Sequence, residues 1–189
     1  MLRHRLASFF DPKSLIVISD IDLPILTAVP ASLGPKTTAL RISPEQNFEQ
    51  LVAEHPLDAD CRRELAVVCV EHSRMEKVLN YLEAAPPKAL IILQPDHVDM
   101  EPKQTQNMVR DWVKAHNVML LGPRSFGIQR PHANLNLSRA DIAKTGRVAL
   151  VSQSRMLLMS ILDWTLDINV GLSALVSLGE VINIDVHDI

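Results

Sequence analysis

Leu65-Ala66-Val67-Val68-Cys69-Val70 is a run of six apolar residues with no polar side chain between them. A strand with one face in water alternates apolar and polar residues, so an unbroken run of this length belongs to a sheet covered on both faces. The same texture recurs at Leu15-Ile16-Val17-Ile18, Ala89-Leu90-Ile91-Ile92-Leu93 and Val118-Met119-Leu120-Leu121, with a weaker strand at Thr37-Thr38-Ala39-Leu40. Helical periodicity separates these runs. Phe48, Leu51 and Val52 mark one short helix, and Ser73 is placed to cap a second with Met75, Val78, Leu79 and Leu82 on one face. A third, Gln104 to His116, carries Met108, Val109, Trp112 and Val113. The order βαβαβαβαβ with right-handed crossovers predicts an α/β protein with a Rossmann-like, doubly wound parallel sheet. Its ligands are expected at the carboxyl ends of the strands, near the switch in strand order.

Beyond the fifth strand, Gly122 to Asp141 is rich in Gly, Pro, Asn and His and has no period, which reads as a linker or crossover loop. A second α/β pattern follows. Arg147-Val148-Ala149-Leu150-Val151 is a strand and Ser152-Gln153-Ser154 a turn. In the next helix Leu157, Leu158, Ile161, Leu162 and Leu166 share a face, with Met156, Met159 and Trp164 expected in the core beside them, like Trp112 in the first unit. A strand from Leu172 to Leu178 ends at Gly179, and Asp185 is placed to cap another helix. Two strands and one helix cannot close a core, so this unit reads as the truncated start of a domain. The expected division is 1–125 for the first domain, 126–142 for the linker and 143–189 for the second.

Hydrophobic residues at 47% and charged residues at 22% give the balance of a packed globule rather than a disordered chain. A net charge of −3 argues against nucleic acid as a partner, because such proteins concentrate basic residues. Arg3, His4 and Arg5 are followed by Asp11, Pro12 and Lys13 rather than by a secretory apolar core, and no run is long enough to span a bilayer. A cytoplasmic location is expected, with no membrane partner. Cys61 and Cys69 form no metal-ligand pattern with each other or with the scattered histidines, so no metal site is expected.

Three ordered motifs carry a family resemblance: Phe9-Phe10-Asp11-Pro12-Lys13-Ser14-Leu15-Ile16-Val17-Ile18, Leu120-Leu121-Gly122-Pro123-Arg124-Ser125-Phe126-Gly127-Ile128 and Gly146-Arg147-Val148-Ala149-Leu150-Val151-Ser152-Gln153-Ser154. The chain resembles the amino-terminal part of NDP-forming acyl-CoA synthetases, similar to the α subunit of succinyl-CoA synthetase. Ile161-Leu162-Asp163-Trp164, Leu178-Gly179 and Asp185-Val186 extend the likeness toward two-part protein lysine acetyltransferases of the Pat type. The resemblance implies a CoA-binding first domain and a flavodoxin-like second domain. CoA or acetyl-CoA is the implied cofactor, and acyl-CoA and the remaining domains of a parent protein are the implied partners. Homo-oligomerisation is left open.

Carried over by position, the resemblance places CoA against Ser19, Asp20 and Ile21 after the first strand, and against Ser43 and Pro44 after the second. Val70, Glu71 and His72 follow the third strand, Gln94 and Pro95 the fourth, and Gly122, Pro123 and Ser125 the fifth. The first loop departs from the glycine-rich turn of relatives. Asp20 and Asp22 put two carboxylates where a polyanion docks, at a cost of roughly 1–4 kcal/mol per like-charge contact. Ser152, Gln153 and Ser154 join a strand to a helix start, which suits a phosphate or an ordinary N-cap. The resemblance implies that this turn receives a phosphohistidine loop whose histidine lies outside the chain, with Arg155 standing in the place of a glycine. No catalytic residue is expected within the chain. Three functions follow: a regulatory acyl-CoA-binding module of a Pat-type acetyltransferase, the α-like part of an NDP-forming synthetase, or a scaffold that binds no ligand.

Overall fold

The computed structural model describes residues 4, 6–24, 29–42, 48–57, 63–93, 95 and 102–189. Ser43, Pro44 and Gln94 therefore lie outside the described residues. A short helix α1 (Ala7–Phe10) leads into a five-stranded sheet of β1 (Leu15–Ser19), β2 (Thr37–Arg41), β3 (Leu65–Cys69), β4 (Ala89–Leu93) and β5 (Met119–Ser125). The strands are all parallel in the order β2-β1-β3-β4-β5, so the order switches between β1 and β3. Every residue of β1, β3 and β4 is buried, as the unbroken apolar runs require. The weaker run lies at the edge as β2, where only Leu40 is buried.

Alternate residues feed two core layers. Ile16, Ile18, Ala66, Val68, Leu90 and Ile92 face one layer with side chains from α2 (Phe48–Glu54), α3 (His72–Glu83) and α4 (Lys103–Ala115). Leu51, Met75, Val78, Leu79, Leu82, Val109, Trp112 and Val113 cover that face. Burying a Val, Leu or Ile side chain fully is worth about 1.5–3 kcal/mol, so this layer fixes the helices on the sheet. α3 starts at His72, with Glu71 in the N-cap position, two residues earlier than a Ser73 cap would set it. The Asp20 carboxylate accepts from Glu71 N–H at 2.9 Å and secures that helix start from the neighbouring loop.

Residues 126–142, expected as a linker, contain a hairpin. β6 (Gly127–Arg130) and β7 (Leu135–Ser138) pair antiparallel and join β8 (Thr145–Ser152) and β9 (Leu172–Ser177) in a second sheet of order β7-β6-β9-β8. The hairpin hides from periodicity because its polar residues are buried and satisfied by one another. Gln129 Nε2 donates to Ser138 Oγ at 2.8 Å and to Asp141 O at 2.9 Å, while Asn136 Nδ2 donates to Ala140 O at 2.7 Å. Gly127 holds φ +105, and a Cβ there would lie 2.1 Å from Leu137 O. Ile128, Leu135, Leu137, Val176 and Leu178 then pack on the second face of the first sheet with Leu15, Val17, Val67 and Ile91, in one continuous core layer.

Helix α5 (Arg155–Asp167) rests on the second sheet through Leu158 and Leu162, which are buried with Phe126, Leu172 and Leu175. The core expectation fails for Leu157, Met156, Met159 and Trp164, which are exposed, Trp164 by 59%. Beside them β8 is an edge strand with Val148 and Val151 exposed, so α5 has one sheet to cover and its other stripes face outward. Trp112 is buried as expected. Asp185 does cap a helical turn, a 3₁₀ turn at Val186–Asp188.

Candidate functional site

At the switch point, the first loop is built on a hydroxyl in place of glycine. Ser19 Oγ donates to Ile21 O at 2.6 Å and accepts from Ile21 N–H at 3.1 Å, closing the turn on itself. Asp20 N–H then bonds Cys69 O at 3.1 Å, which continues the β1–β3 pairing one residue past the strand end. The two carboxylates do not face a ligand unopposed. Asp22 pairs with Arg41, and Asp20 Oδ2 lies 3.7 Å from Arg74 Nη1. The cost assigned to like charges from sequence is offset by these two guanidinium groups. Val70 is buried, Glu71 and His72 are exposed at the start of α3, and Pro95 is buried beyond β4. A cavity of about 90 Å³ between β1 and β2, lined by Ser19, Ile21, Asp22 and Arg41, is too small to enclose a nucleotide.

Gly122, Pro123 and Ser125 were expected beyond the fifth strand; β5 instead runs through them. The strand continues because the second sheet supplies partners. Gly122 N–H donates to Leu178 O at 2.8 Å, and Pro123 O accepts from Glu180 N–H at 2.8 Å. Ser125, fully buried, donates from Oγ to Ser177 O at 2.6 Å and accepts there from Gly127 N–H at 2.9 Å. The Gly122-Pro123 peptide is cis, and Arg124 takes a left-handed φ of 64°. This segment fastens the sheets together, which leaves the Ser125 hydroxyl engaged on both sides.

The second candidate region is an open cleft of about 570 Å³ lined by Arg124, Gln153, Ser154, Arg155, Met156, Gly179, Glu180 and Val181. Ser154 is the N-cap of α5: its Oγ accepts from Leu157 N–H at 3.3 Å and its carbonyl from Leu158 N–H at 3.1 Å. Ser152 Oγ accepts from Ser154 N–H at 3.0 Å, so both serines shape the turn. Gln153 is exposed, and two cations flank the helix start. Glu180 draws one of them back, with Oε1 3.6 Å from Arg124 Nη1 and 3.0 Å from Gln106 Nε2 of α4. Sequence reasoning missed Arg41, Arg74, Gln106 and Glu180. Their partners stand in other elements of the fold, and no local spacing announces them.

The comparisons with known proteins agree with this arrangement. Residues 145–189 match the model of the succinyl-CoA ligase like flavodoxin domain. That flavodoxin-like stretch begins at β8. The ADP-forming acetate–CoA ligase of Methanocaldococcus jannaschii is 30% identical over 134 residues, covering 70% of this chain and 19% of the relative, a stretch too long to lie within the flavodoxin-like part alone. The α subunit of ADP-forming acetate–CoA ligase II of Pyrococcus furiosus is 24% identical over 193 residues, covering 96% of this chain and 41% of that one. The chain thus spans less than half the length of these curated relatives. Among solved structures, the apo dinucleotide-forming acetyl-coenzyme A synthetase 1 of Ca. Korarchaeum cryptofilum superposes with a TM-score of 0.71 at 22% identity, over 97% of this chain and 42% of that chain. The fold is therefore a Rossmann-like parallel sheet followed by the start of a flavodoxin-like domain. These relatives are CoA ligases, which favours the synthetase reading over the acetyltransferase reading that headed the sequence analysis. Among the described residues no helix is long and apolar enough to cross a membrane.

Proposed function

We propose that the chain is the CoA-binding part, with the start of the following domain, of an NDP-forming acyl-CoA synthetase. The observation that carries the reading is the joining of the two sheets: a five-stranded Rossmann-like sheet with its switch between β1 and β3 is followed, after the β6–β7 hairpin, by a strand-turn-helix of the succinyl-CoA ligase like type. The relatives similar to it in sequence are ADP-forming ligases of acetate and CoA.

In this reading CoA lies across the strand ends of the first sheet, against Ser19 to Ile21, Val70 to His72 and Pro95. Arg41 and Arg74 balance Asp22 and Asp20, so the crevice admits an anionic ligand without the full repulsion that two bare carboxylates would impose. Gly122, Pro123 and Ser125 act at a distance by holding β5. The cleft at the start of α5 receives a phosphoryl group, with Arg124 and Arg155 supplying charge and the first-turn N–H groups supplying donors. CoA provides the thiol that an acyl group joins; this chain's residues bind and orient it.

Isothermal titration of the chain with CoA, acetyl-CoA and ADP tests the reading. Saturable binding of CoA is expected. No heat with any of the three at millimolar ligand would leave the scaffold that binds no ligand as the better account.

A further inference from the structure

We propose that Asp20 is a specificity-determining residue of the switch-point crevice: its carboxylate fills the anion seat at the start of α3, so the ligand group that meets it there is a neutral hydrogen-bond donor rather than a phosphate. The inference rests on the reading that CoA binds the strand ends.

Three observations carry it. The Asp20 side chain is only 8% exposed, deep for a carboxylate, and it stands between the tips of β1 and β3 where the strand order switches. One oxygen, Oδ2, takes up the role that a phosphate plays at a helix start, accepting from Glu71 N–H at 2.9 Å with Arg74 Nη1 at 3.7 Å. The other, Oδ1, is buried and has no hydrogen-bond partner among the described residues. An ionised carboxylate can only accept, and leaving a buried acceptor unpaired is costly, so the group that completes Oδ1 has to carry an O–H or N–H. A phosphate does this poorly. At neutral pH it is chiefly an acceptor, and it would meet a carboxylate already holding Glu71 N–H with Arg74 beside it. The adenine amine, the ribose hydroxyl and the amides and hydroxyl of pantetheine all qualify, and the phosphates of CoA are then directed away from α3.

Asp20→Asn isolates the effect. An asparagine side chain keeps an oxygen for Glu71 N–H, so the helix start is preserved, but it replaces the second acceptor with an NH₂ donor. Titration calorimetry with CoA on the wild-type chain and on D20N, with a thermal melt of each, reads the outcome. Expected are closely similar melting temperatures and CoA binding at least about tenfold weaker in D20N, the loss of one hydrogen bond to a charged group. Should D20N fail to fold, Asp20→Ser, which removes the carboxylate with little change in bulk, takes its place, with the loss of CoA affinity as the readout. Unchanged CoA affinity in the variant would make Asp20 a helix cap or a water-bound group and overturn the proposal. Tighter binding would overturn it too, because it would mean that the carboxylate merely repels phosphate. Wild-type chain that binds no CoA would instead defeat the underlying reading, and the proposal with it, whatever the variant does.

Discussion

Replacing Ser125 with alanine separates two roles for the Gly122-to-Ser125 segment. The sequence resemblance makes Ser125 a ligand contact, while the structure makes it a fastener between β5 and β9. Its hydroxyl is fully buried, donates to Ser177 O at 2.6 Å and accepts from Gly127 N–H at 2.9 Å. Each such bond contributes about 0.5–1.5 kcal/mol net, and a buried donor left without its acceptor costs up to about 3 kcal/mol. Ser125→Ala removes both bonds at a site where water has no access, so a loss of about 2–3 kcal/mol is expected. For a chain of this size that corresponds to a fall in Tm of roughly 4–12 °C. Differential scanning calorimetry measures it, with Ser73→Ala, an exposed site in α3, as a reference expected to change stability by no more than about 0.5 kcal/mol. CoA affinity, measured below the transition, should stay at the wild-type value. An S125A protein that melts with the wild type yet no longer binds CoA would refute the fastener argument and return Ser125 to the ligand site.

Gly179→Ala should be more damaging: the residue sits at φ +64, and a Cβ would lie 2.3 Å from Pro123 O, so a loss above about 2 kcal/mol in urea unfolding is expected. Tyr81, whose hydroxyl donates to His55 O at 2.6 Å, has its pKa raised above 10.0 by burial, a shift that Arg63 partly opposes. Because the folded state holds that proton more tightly, its stabilising contribution is intact below pH 10 and is lost as pH rises further; Tyr81→Phe should flatten the alkaline arm of a Tm-against-pH curve. Arg124→Ala should weaken binding of inorganic phosphate at the cleft by about tenfold, as expected for a lost charge-assisted contact, and phosphate titration followed by calorimetry checks this. Equal phosphate affinity in R124A would remove Arg124 from the proposed phosphoryl site.

The first sheet was legible because its physics is local. A strand buried on both faces must be apolar throughout, and β1, β3 and β4 each announce themselves in five residues. The hairpin was not legible for the opposite reason. Gln129, Asn136 and Ser138 are buried polar residues whose burial is tolerable only because the folded chain brings them to one another, and that is a tertiary fact. The same limit applies to α5, where Met156 and Trp164 have a core composition but a solvent position. Within the candidate site, the turns after β1 and β8 stand at the strand ends, β5 runs on through Gly122 to Ser125, and what the side chains do was not legible. Ser19, Ser152 and Ser154 turned out to bond their own backbone neighbours, and the two aspartates of the first loop found arginines in other elements.

The way the sheets are joined constrains how the two regions can act. Asn183 bonds both Leu120 N–H and Val118 O, in effect extending the first sheet beyond β5, and Arg130 reaches back to Phe10 O at 2.6 Å. Glu180 sits at the crossing, its backbone tied to Pro123 and its carboxylate shared by Gln106 of α4 and Arg124. An anion entering the α5 cleft competes with Glu180 for Arg124, and releasing Glu180 loosens a contact to α4, a helix of the first unit. If the cleft takes an anion as proposed, charge there and packing of the first unit are linked through one carboxylate. Glu180→Gln, which keeps the backbone bond to Pro123 and the oxygen facing Gln106 but discards the charge, should free Arg124. Phosphate should then bind more tightly, while the first unit keeps its stability. A phosphate affinity that falls on this substitution would show that Glu180 orients Arg124 toward the anion instead of competing with it.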